Sequence, residues 1–448
     1  MTRFLLLLAA GLASAHAIGF QVPRYRLMPG TKIWCTGISD TKDSRGTSHS
    51  TRLREHWVLS DSGGVFRVLM RVTDQGYKID TAGKRTEDSV ETGWDLFEMK
   101  PDGELLRDQS TIDIDVSGFF PLLPDDSAAA ASGWTQVDTS GMVPYTYSFR
   151  LDNKSVSDSL WLVERIASTP LDTVYDLPAG KQRSVINTRR GFPLRRENGF
   201  SDTTSHRESW GSITLDSVTK FDVAGLGPQL AAIVAYFDAK EAYDEEDASA
   251  EPDDTSGVAA AGGRALAILK DALRETSDST VVAMLNRDIE QHEQGIQSYL
   301  ADIRERLQRR GKPAPDWKLA DLDGGKHALK DYRGKVLVLD WWYKGCPWCM
   351  VAMPKLTDVA RKYADRPVVI LGMNVDRDTN DARSAIEKMK PGYSSLLAGR
   401  DLAKKYKVTA YPTLFIVDKK GKVADVHVGY AKDLAARLSK KLDALLGP

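Results

Sequence analysis

Cysteine is scarce in this chain: 448 residues hold only 3. That excludes a scaffold stapled together by disulfides. An excess of one charge is missing too. Lys and Arg number 61 against 62 Asp and Glu, a formal net charge of −1, so nothing global draws the chain to nucleic acid or to an anionic membrane. After the first residues no apolar run approaches the ~20 needed to span a bilayer as a helix. His49, His56 and His206 lack metal-ligand spacing, and a lone histidine is usually a surface or packed residue. No metal or organic cofactor is therefore expected. What remains is ordinary globular composition, 42% hydrophobic, at a length that fits two or three domains.

Residues 1–17 read as a signal peptide. Arg3 supplies a short positive region, residues 4–13 are apolar but too short to cross a membrane, and Ala15-His16-Ala17 is a cleavage pattern, with Ala13-Ser14-Ala15 an alternative. The expectation is an exported chain, periplasmic or otherwise outside the cytoplasm, with no membrane span after cleavage and a setting where a disulfide persists.

Residues 18–243 read as a β-rich domain of unknown purpose. Ile112, Ile114 and Val116 alternate with polar residues, as do Tyr145, Tyr147, Phe149 and Leu151, and Ile213 with Leu215. Period two with one polar side predicts an antiparallel sheet wet on one face, an open curved sheet or half-barrel. Gly191-Phe192-Pro193 reads as a turn between strands. Lys181, Arg183, Arg189, Arg190, Arg195 and Arg196 form a basic run, read as a solvated strand face rather than a docking surface. Cys35, in Lys32-Ile33-Trp34-Cys35, is expected on a strand, buried and inert, with a disulfide to Cys346 as the alternative, which would demand specific domain docking.

Residues 244–311 change character. Asp244-Glu245-Glu246-Asp247 and Glu251-Pro252-Asp253-Asp254 read as a flexible acidic linker. Two amphipathic helices follow, over residues 258–275 and 280–310, with Ser277 and Ser279 as candidate caps. They predict a helical hairpin, with a coiled-coil pair as the alternative.

The chemistry concentrates in residues 336–349. Val336-Leu337-Val338-Leu339 reads as a buried strand; a short turn leads to Cys346-Pro347-Trp348-Cys349, and the spacing of Val351, Leu356 and Val359 predicts a helix from there. Cys346 falls near the helix N-cap and Pro347 near its first position, where a missing N–H costs nothing. Unpaired N–H groups and the positive end of the helix dipole favour an anion there, so the Cys346 thiolate is expected to be stabilised. Three-residue spacing brings Cys349 beneath it, within disulfide reach. Strand, turn, Cys-x-x-Cys, helix is the context for thiol redox chemistry. An inert pair or half a zinc site is the alternative, though no second Cys pair or His cluster follows.

These residues resemble a known family. Ala314-Pro315-Asp316-Trp317 through Leu356 is similar to the start of a thioredoxin-fold redoxin domain of the TlpA/ResA-like thiol–disulfide oxidoreductases, and the likeness runs to about Leu446. Gly334-Lys335 precedes the central strand, Asp340 stands six residues before the first cysteine, Pro354 five beyond Cys349, and Tyr411-Pro412-Thr413 occupies the position of a cis-proline loop. Gly421 and Gly429 fit the last hairpin and the turn after it. The resemblance implies an α/β thioredoxin-like domain over residues 312–448. Asp401 is expected to cap a short helix within it.

The resemblance also implies a mechanism. Cys346 attacks a partner disulfide and Cys349 resolves the mixed disulfide. Asp340, with a pKa raised by burial, accepts the Cys349 proton; an acid merely hydrogen-bonded at a strand end is the alternative. Tyr411, Pro412 and Trp348 are expected to meet substrate. The redox group is the Cys346–Cys349 disulfide itself, and the partners are protein thiols or disulfides, with a membrane thiol donor as a further candidate. The Pro347-Trp348 dipeptide differs from the pairs of the well-known reductants of this fold and does not set the direction of transfer. Two other functions stand beside this one. A peroxiredoxin-like thiol peroxidase places Thr where Tyr343 stands. A binding or carrier protein would use the β-rich half, with the redox domain as an accessory.

Overall fold

The structure, a computed structural model, describes residues 22–110, 119–138, 145–151, 160–168, 180–202, 207–247, 249, 254–431 and 433–447. The expected signal peptide lies outside these residues, as do Ile112, Ile114, Val116 and His206. The chain divides into two compact units, the second comprising chiefly the residues from Gly227 onward.

The first unit is built on one antiparallel sheet. Its strands are β1 (Thr31–Asp43), β2 (Gly46–Ser62), β3 (Val65–Asp80), β4 (Arg85–Glu87), β5 (Glu91–Met99), β6 (Leu105–Ser110), β7 (Trp134–Asp138), β8 (Tyr145–Leu151), β9 (Leu160–Ser168), β10 (Gly180–Asn187), β11 (Phe192–Asp202) and β12 (Arg207–Lys220); a short helix, α1 (Ser127–Ser132), precedes β7. The order is β6-β5-β3-β2-β1-β12-β11-β10-β9-β8-β7, with β4 beside β3. The path is open, with β1 and β12 joining its two halves. Gly63-Gly64 closes the β2–β3 hairpin with both residues at positive φ, the conformation a two-residue type I′ turn requires. Along β1, Thr31, Ile33, Cys35 and Gly37 are buried and the residues between them are not, the alternation of a sheet covered on one face.

That covered face packs Ile33, Cys35, Val68, Met70 and Phe97 against Phe119 and Phe120. His56 lies beside both phenylalanines, at ring distances of 6.0 Å. Burial, aided by the neighbouring Arg54 charge, pushes it down to about 3, so it is a neutral packed residue. In the basic run Lys181, Arg183, Arg189, Arg190 and Arg195 are exposed, but Arg196 is buried. The alternation of β11 turns Arg196 inward, so the run is not one solvated face.

The second unit begins with three helices, α2 (Pro228–Asp247), α3 (Thr255–Glu275) and α4 (Ser279–Arg309). This corrects two expectations. The acidic residues 244–247 finish a helix rather than open a linker, and the β-rich region ends before Pro228. The reason is the buried trio Ile233, Tyr236 and Phe237 at helical spacing. Tyr236 Oη donates to Asp288 of α4 at 2.8 Å, and Tyr243 Oη is 2.7 Å from His292 Nδ1. The caps also differ. Asp254 caps α3 and Asp278 caps α4, not Ser277 or Ser279, because each Asp carboxylate reaches the free N–H groups of the first turn.

Leaving α4, the chain joins a second sheet at once: Gly311 N–H donates to Val423 and Ala314 N–H to Gly421. A hairpin, β13 (Lys318–Ala320) and β14 (Lys326–Ala328), precedes β15 (Val336–Trp342), α5 (Pro347–Lys362), β16 (Val368–Asn374), α6 (Thr379–Met389), β17 (Ser395–Leu397), α7 (Gly399–Lys405), β18 (Thr413–Val417), β19 (Val423–Val428) and α8 (Leu434–Leu446). The sheet order is β17-β16-β15-β18-β19, with β15 parallel to β16 and antiparallel to β18. Asp401 lies inside the first turn of α7 and does not cap it. Arg310 Nε donates to Asp425 of β19 at 2.8 Å, and Lys441 of α8 lies 3.1 Å from the same carboxylate. Burial alone would raise Asp425; the charges of His427, Lys441 and Arg310 outweigh it and hold the carboxyl below its ordinary range.

Candidate active site

The site grows from the central strand. Every residue of β15 is buried. Alternation sends Leu337, Leu339 and Trp341 to one side of the sheet, while Val336 and Val338 pack with Ala352, Leu356 and Val359 of α5; Asp340 and Trp342 follow on the α5 side. Gly372 lies opposite Asp340 on β16. A Cβ there would fall 2.2 Å from Ser395 Oγ and 2.8 Å from Trp342 Nε1, so the indole fits only because that side chain is missing. The turn after β15 is tied down by Lys344 N–H to Asp376 Oδ2 at 3.0 Å, Cys346 N–H to Tyr343 O at 3.1 Å, and Lys344 Nζ to Asp381 at 3.0 Å.

Cys346 is the N-cap of α5 and Pro347 its first residue. Cys346 Sγ accepts the Cys349 N–H at 3.1 Å, one of the donors a helix start leaves free. The two sulfurs are bonded at 2.03 Å, with the Cα atoms 5.3 Å apart. Sequence reasoning placed Cys349 beneath Cys346, within disulfide reach. The structure encloses both, at 3% and 1% exposure. The pair belongs to an apolar cluster with Leu322, Trp342, Met350 and Met353, edged by the partly buried Tyr343, Trp348 and Tyr411. Gly345 and Pro347, on either side of Cys346, are exposed, so the disulfide lies just beneath a surface turn.

Asp340 is 1% exposed. Burial lifts its carboxyl from 3.8 to about 7, against the opposing pull of a hydrogen bond from Tyr393. That bond runs from Tyr393 Oη to Oδ2 at 3.0 Å; Oδ1 has no partner. The Tyr411–Pro412 peptide is cis. Pro412 is buried and its carbonyl accepts Gly429 N–H at 2.8 Å, while the half-buried Tyr411 ring meets Tyr343 edge-on at 5.2 Å. Trp348 stacks on Tyr430 at 6.2 Å. The structure thus gathers Cys346, Cys349, Trp348 and Tyr411 into one cluster, with Asp340 on the adjoining strand. Sequence reasoning missed Tyr393, Tyr430 and the Lys344–Asp376 tie. All three depend on long-range contacts, and the only local hint was an aromatic residue after the turn at Gly429. Cys35 is a free, buried thiol pushed up to about 12 by burial. Among the described residues no group of three or more His, Cys, Asp or Glu side chains could hold a metal ion, and no helix is long and apolar enough to cross a membrane.

A central strand running into a Cys-Pro-Trp-Cys helix cap, faced by a cis-proline loop and backed by a buried acid, defines a thioredoxin-fold protein. Comparisons with known proteins give the following matches. The family model described as AhpC/TSA matches residues 310–426. The thioredoxin-like protein YneN of Bacillus subtilis is 31% identical over 121 residues, 27% of this chain and 71% of that protein. The thiol–disulfide oxidoreductase ResA of Geobacillus thermodenitrificans is 33% identical over 120 residues, 27% of this chain and 69% of that one. Among solved structures, a putative thiol:disulfide interchange protein DsbE from Chlorobium tepidum is 28% identical, covering 31% of this chain and 98% of that one at a TM-score of 0.30. Through this C-terminal region the chain belongs to the ResA-like thiol–disulfide oxidoreductases. It is a protein thiol–disulfide oxidoreductase.

Proposed function

We propose that the protein is exported and exchanges disulfides with partner proteins through Cys346 and Cys349. The observation that carries this is the bonded pair at the start of α5, with Cys346 Sγ already receiving a helix N–H. In the reduced protein the same N–H and the helix dipole stabilise the Cys346 thiolate. The thiolate attacks a partner disulfide, forming a Cys346–partner bond and releasing one partner sulfur as thiolate. Cys349 then gives its proton to Asp340 and attacks Cys346 Sγ. The Cys346–Cys349 bond forms, the mixed bond breaks, and its electron pair leaves on the second partner sulfur. The partner is reduced by two electrons and the enzyme oxidised by two; the reverse sequence oxidises a dithiol partner. Asp340, with one free oxygen and a carboxyl near neutrality, is matched to that proton.

Because the pair is enclosed, a partner reaches it past the half-buried Trp348, Tyr343 and Tyr411. An extended segment seated against the Tyr411–Pro412 loop meets that need. An export signal in residues 1–17 supports an oxidising location, where a membrane thiol donor would recharge the pair. The test is trapping. A Cys349→Ser variant should accumulate mixed disulfides with extracytoplasmic proteins through Cys346, and Cys346→Ser should accumulate none. Equal trapping by both variants, or trapping confined to cytoplasmic proteins, would contradict the proposal. Hydrogen peroxide turnover lost in Cys346→Ser would favour the peroxidase function instead.

A further inference from the structure

Few groups act on the charge of Asp340. Across the flanking strands it meets Gly372 and Leu414, which carry none. α5 brings Cys346 and Cys349 to this end of the strand beside Trp342. The segment between α6 and β17 brings the Tyr393 hydroxyl, 3.0 Å from Oδ2. Oδ1 is buried and without a partner. A proton acceptor needs one free lone pair directed at the donor. A carboxylate held by neither oxygen has no set orientation, and one held at a single oxygen keeps both lone pairs of the other open. Here one oxygen is committed and the other is open.

We propose that Tyr393 is a positioning residue for the second half of the exchange: its hydroxyl holds Asp340 Oδ2, so that Oδ1 is the oxygen that takes the Cys349 proton. This rests on the assignment of Asp340 as acceptor. The proton passes from Cys349 Sγ to Oδ1 as the Cys346–Cys349 bond forms and the mixed disulfide breaks. Tyr393 itself keeps its proton, since burial and the adjacent carboxyl push its hydroxyl well above its ordinary value. Its hydrogen bond favours ionised Asp340 and opposes the effect of burial. Removing the hydroxyl therefore leaves the acid protonated, and idle as a base, at neutral pH.

Tyr393→Phe tests this, since it keeps the ring and removes only the donor. Reduced full-length protein is mixed with 5,5′-dithiobis(2-nitrobenzoate). The first thionitrobenzoate reports attack by Cys346, and the second reports resolution by Cys349. Infrared difference spectra against Asp340→Asn follow protonation of the Asp340 carboxyl independently. The expected result is a carboxyl titration and a resolution profile that both move up by about one to two pH units. Resolution near pH 7 should slow about tenfold, the first release should be unchanged, and the substitution should have no further effect in the Asp340→Asn background. An unmoved carboxyl titration overturns the role of Tyr393. A carboxyl that moves while the resolution profile stays put overturns the acceptor assignment of Asp340, and the role of Tyr393 with it. Equal slowing with and without Asp340 marks Tyr393 as structural only and also overturns the proposal.

Discussion

Asp340→Asn should make the redox domain more stable at neutral pH and lose that advantage in acid. Burial moves the Asp340 carboxyl from 3.8 to about 7. Below about pH 4 it is protonated in folded and unfolded chains alike and contributes no pH-dependent cost. Between about pH 4 and 7 the unfolded chain ionises while the folded one stays neutral, so stability falls as pH rises. Above about pH 7 the folded carboxyl ionises too and the penalty levels off. About three units at ~1.36 kcal/mol each make the plateau roughly 4 kcal/mol. Asparagine cannot ionise, so the difference between variant and parent should grow by about that amount from pH 4 to 8. Any offset from burying an amide is constant with pH. Hydrogen exchange of the β15 amides, measured by mass spectrometry on the oxidised full-length chain, reads this directly. Those amides lie in a fully buried strand and exchange only through large-scale opening. Comparing the two proteins at each pH cancels the intrinsic exchange rates. A difference that stays flat across the range refutes the raised carboxyl.

Three further outcomes follow from the same structure. Iodoacetamide at pH 8 should label Cys346 of the reduced native protein, at the helix start beneath its surface turn, and leave Cys35 untouched until the chain is unfolded, because burial pushes the Cys35 thiol up to about 12; peptide mass mapping decides. Asp425→Asn leaves Arg310 and Lys441 facing a neutral amide at a site where the acid is 6% exposed, and should cost roughly 3 kcal/mol by exchange of the β19 amides. The parent should lose this contribution as pH falls through the depressed Asp425 value, so the gap should close in acid. Trp348→Ala removes the face stacked on Tyr430 and should lower kcat/KM for a protein disulfide up to about tenfold, with reduction of a small aromatic disulfide unchanged; equal loss with both substrates means a damaged fold instead.

Much of the redox site was legible because its signals are local. The apolar run Val336-Leu337-Val338-Leu339 marks a buried strand, and Cys346-Pro347 marks a helix start. Asp340 is placed by the resemblance to the redoxin family, as the acid six residues before the first cysteine, and strand alternation puts it on the face of Trp342. The strand and helix readings need only the two periods of backbone geometry and the chemistry of a helix cap. Period two likewise announced the antiparallel sheet of the first unit. Where propensity had to choose alone it failed. The stretch containing Ile233, Tyr236 and Phe237 was absorbed into the β-rich region, although its burial against neighbouring helices makes it α2. The capping serines lost to Asp278, one residue away, within the usual error of an element's end.

The sequence alone therefore placed the cysteine pair, the start of its helix and the acid of the preceding strand together, because they lie within ten residues of one another. Tertiary structure decided what surrounds them. Tyr393 reaches Asp340 across 53 residues, and Trp348 finds Tyr430 on a distant turn. Leu322, from the β13–β14 hairpin, joins the cluster that encloses the disulfide. Such contacts are set by how sheet and helices pack, and no local pattern in the chain records that packing.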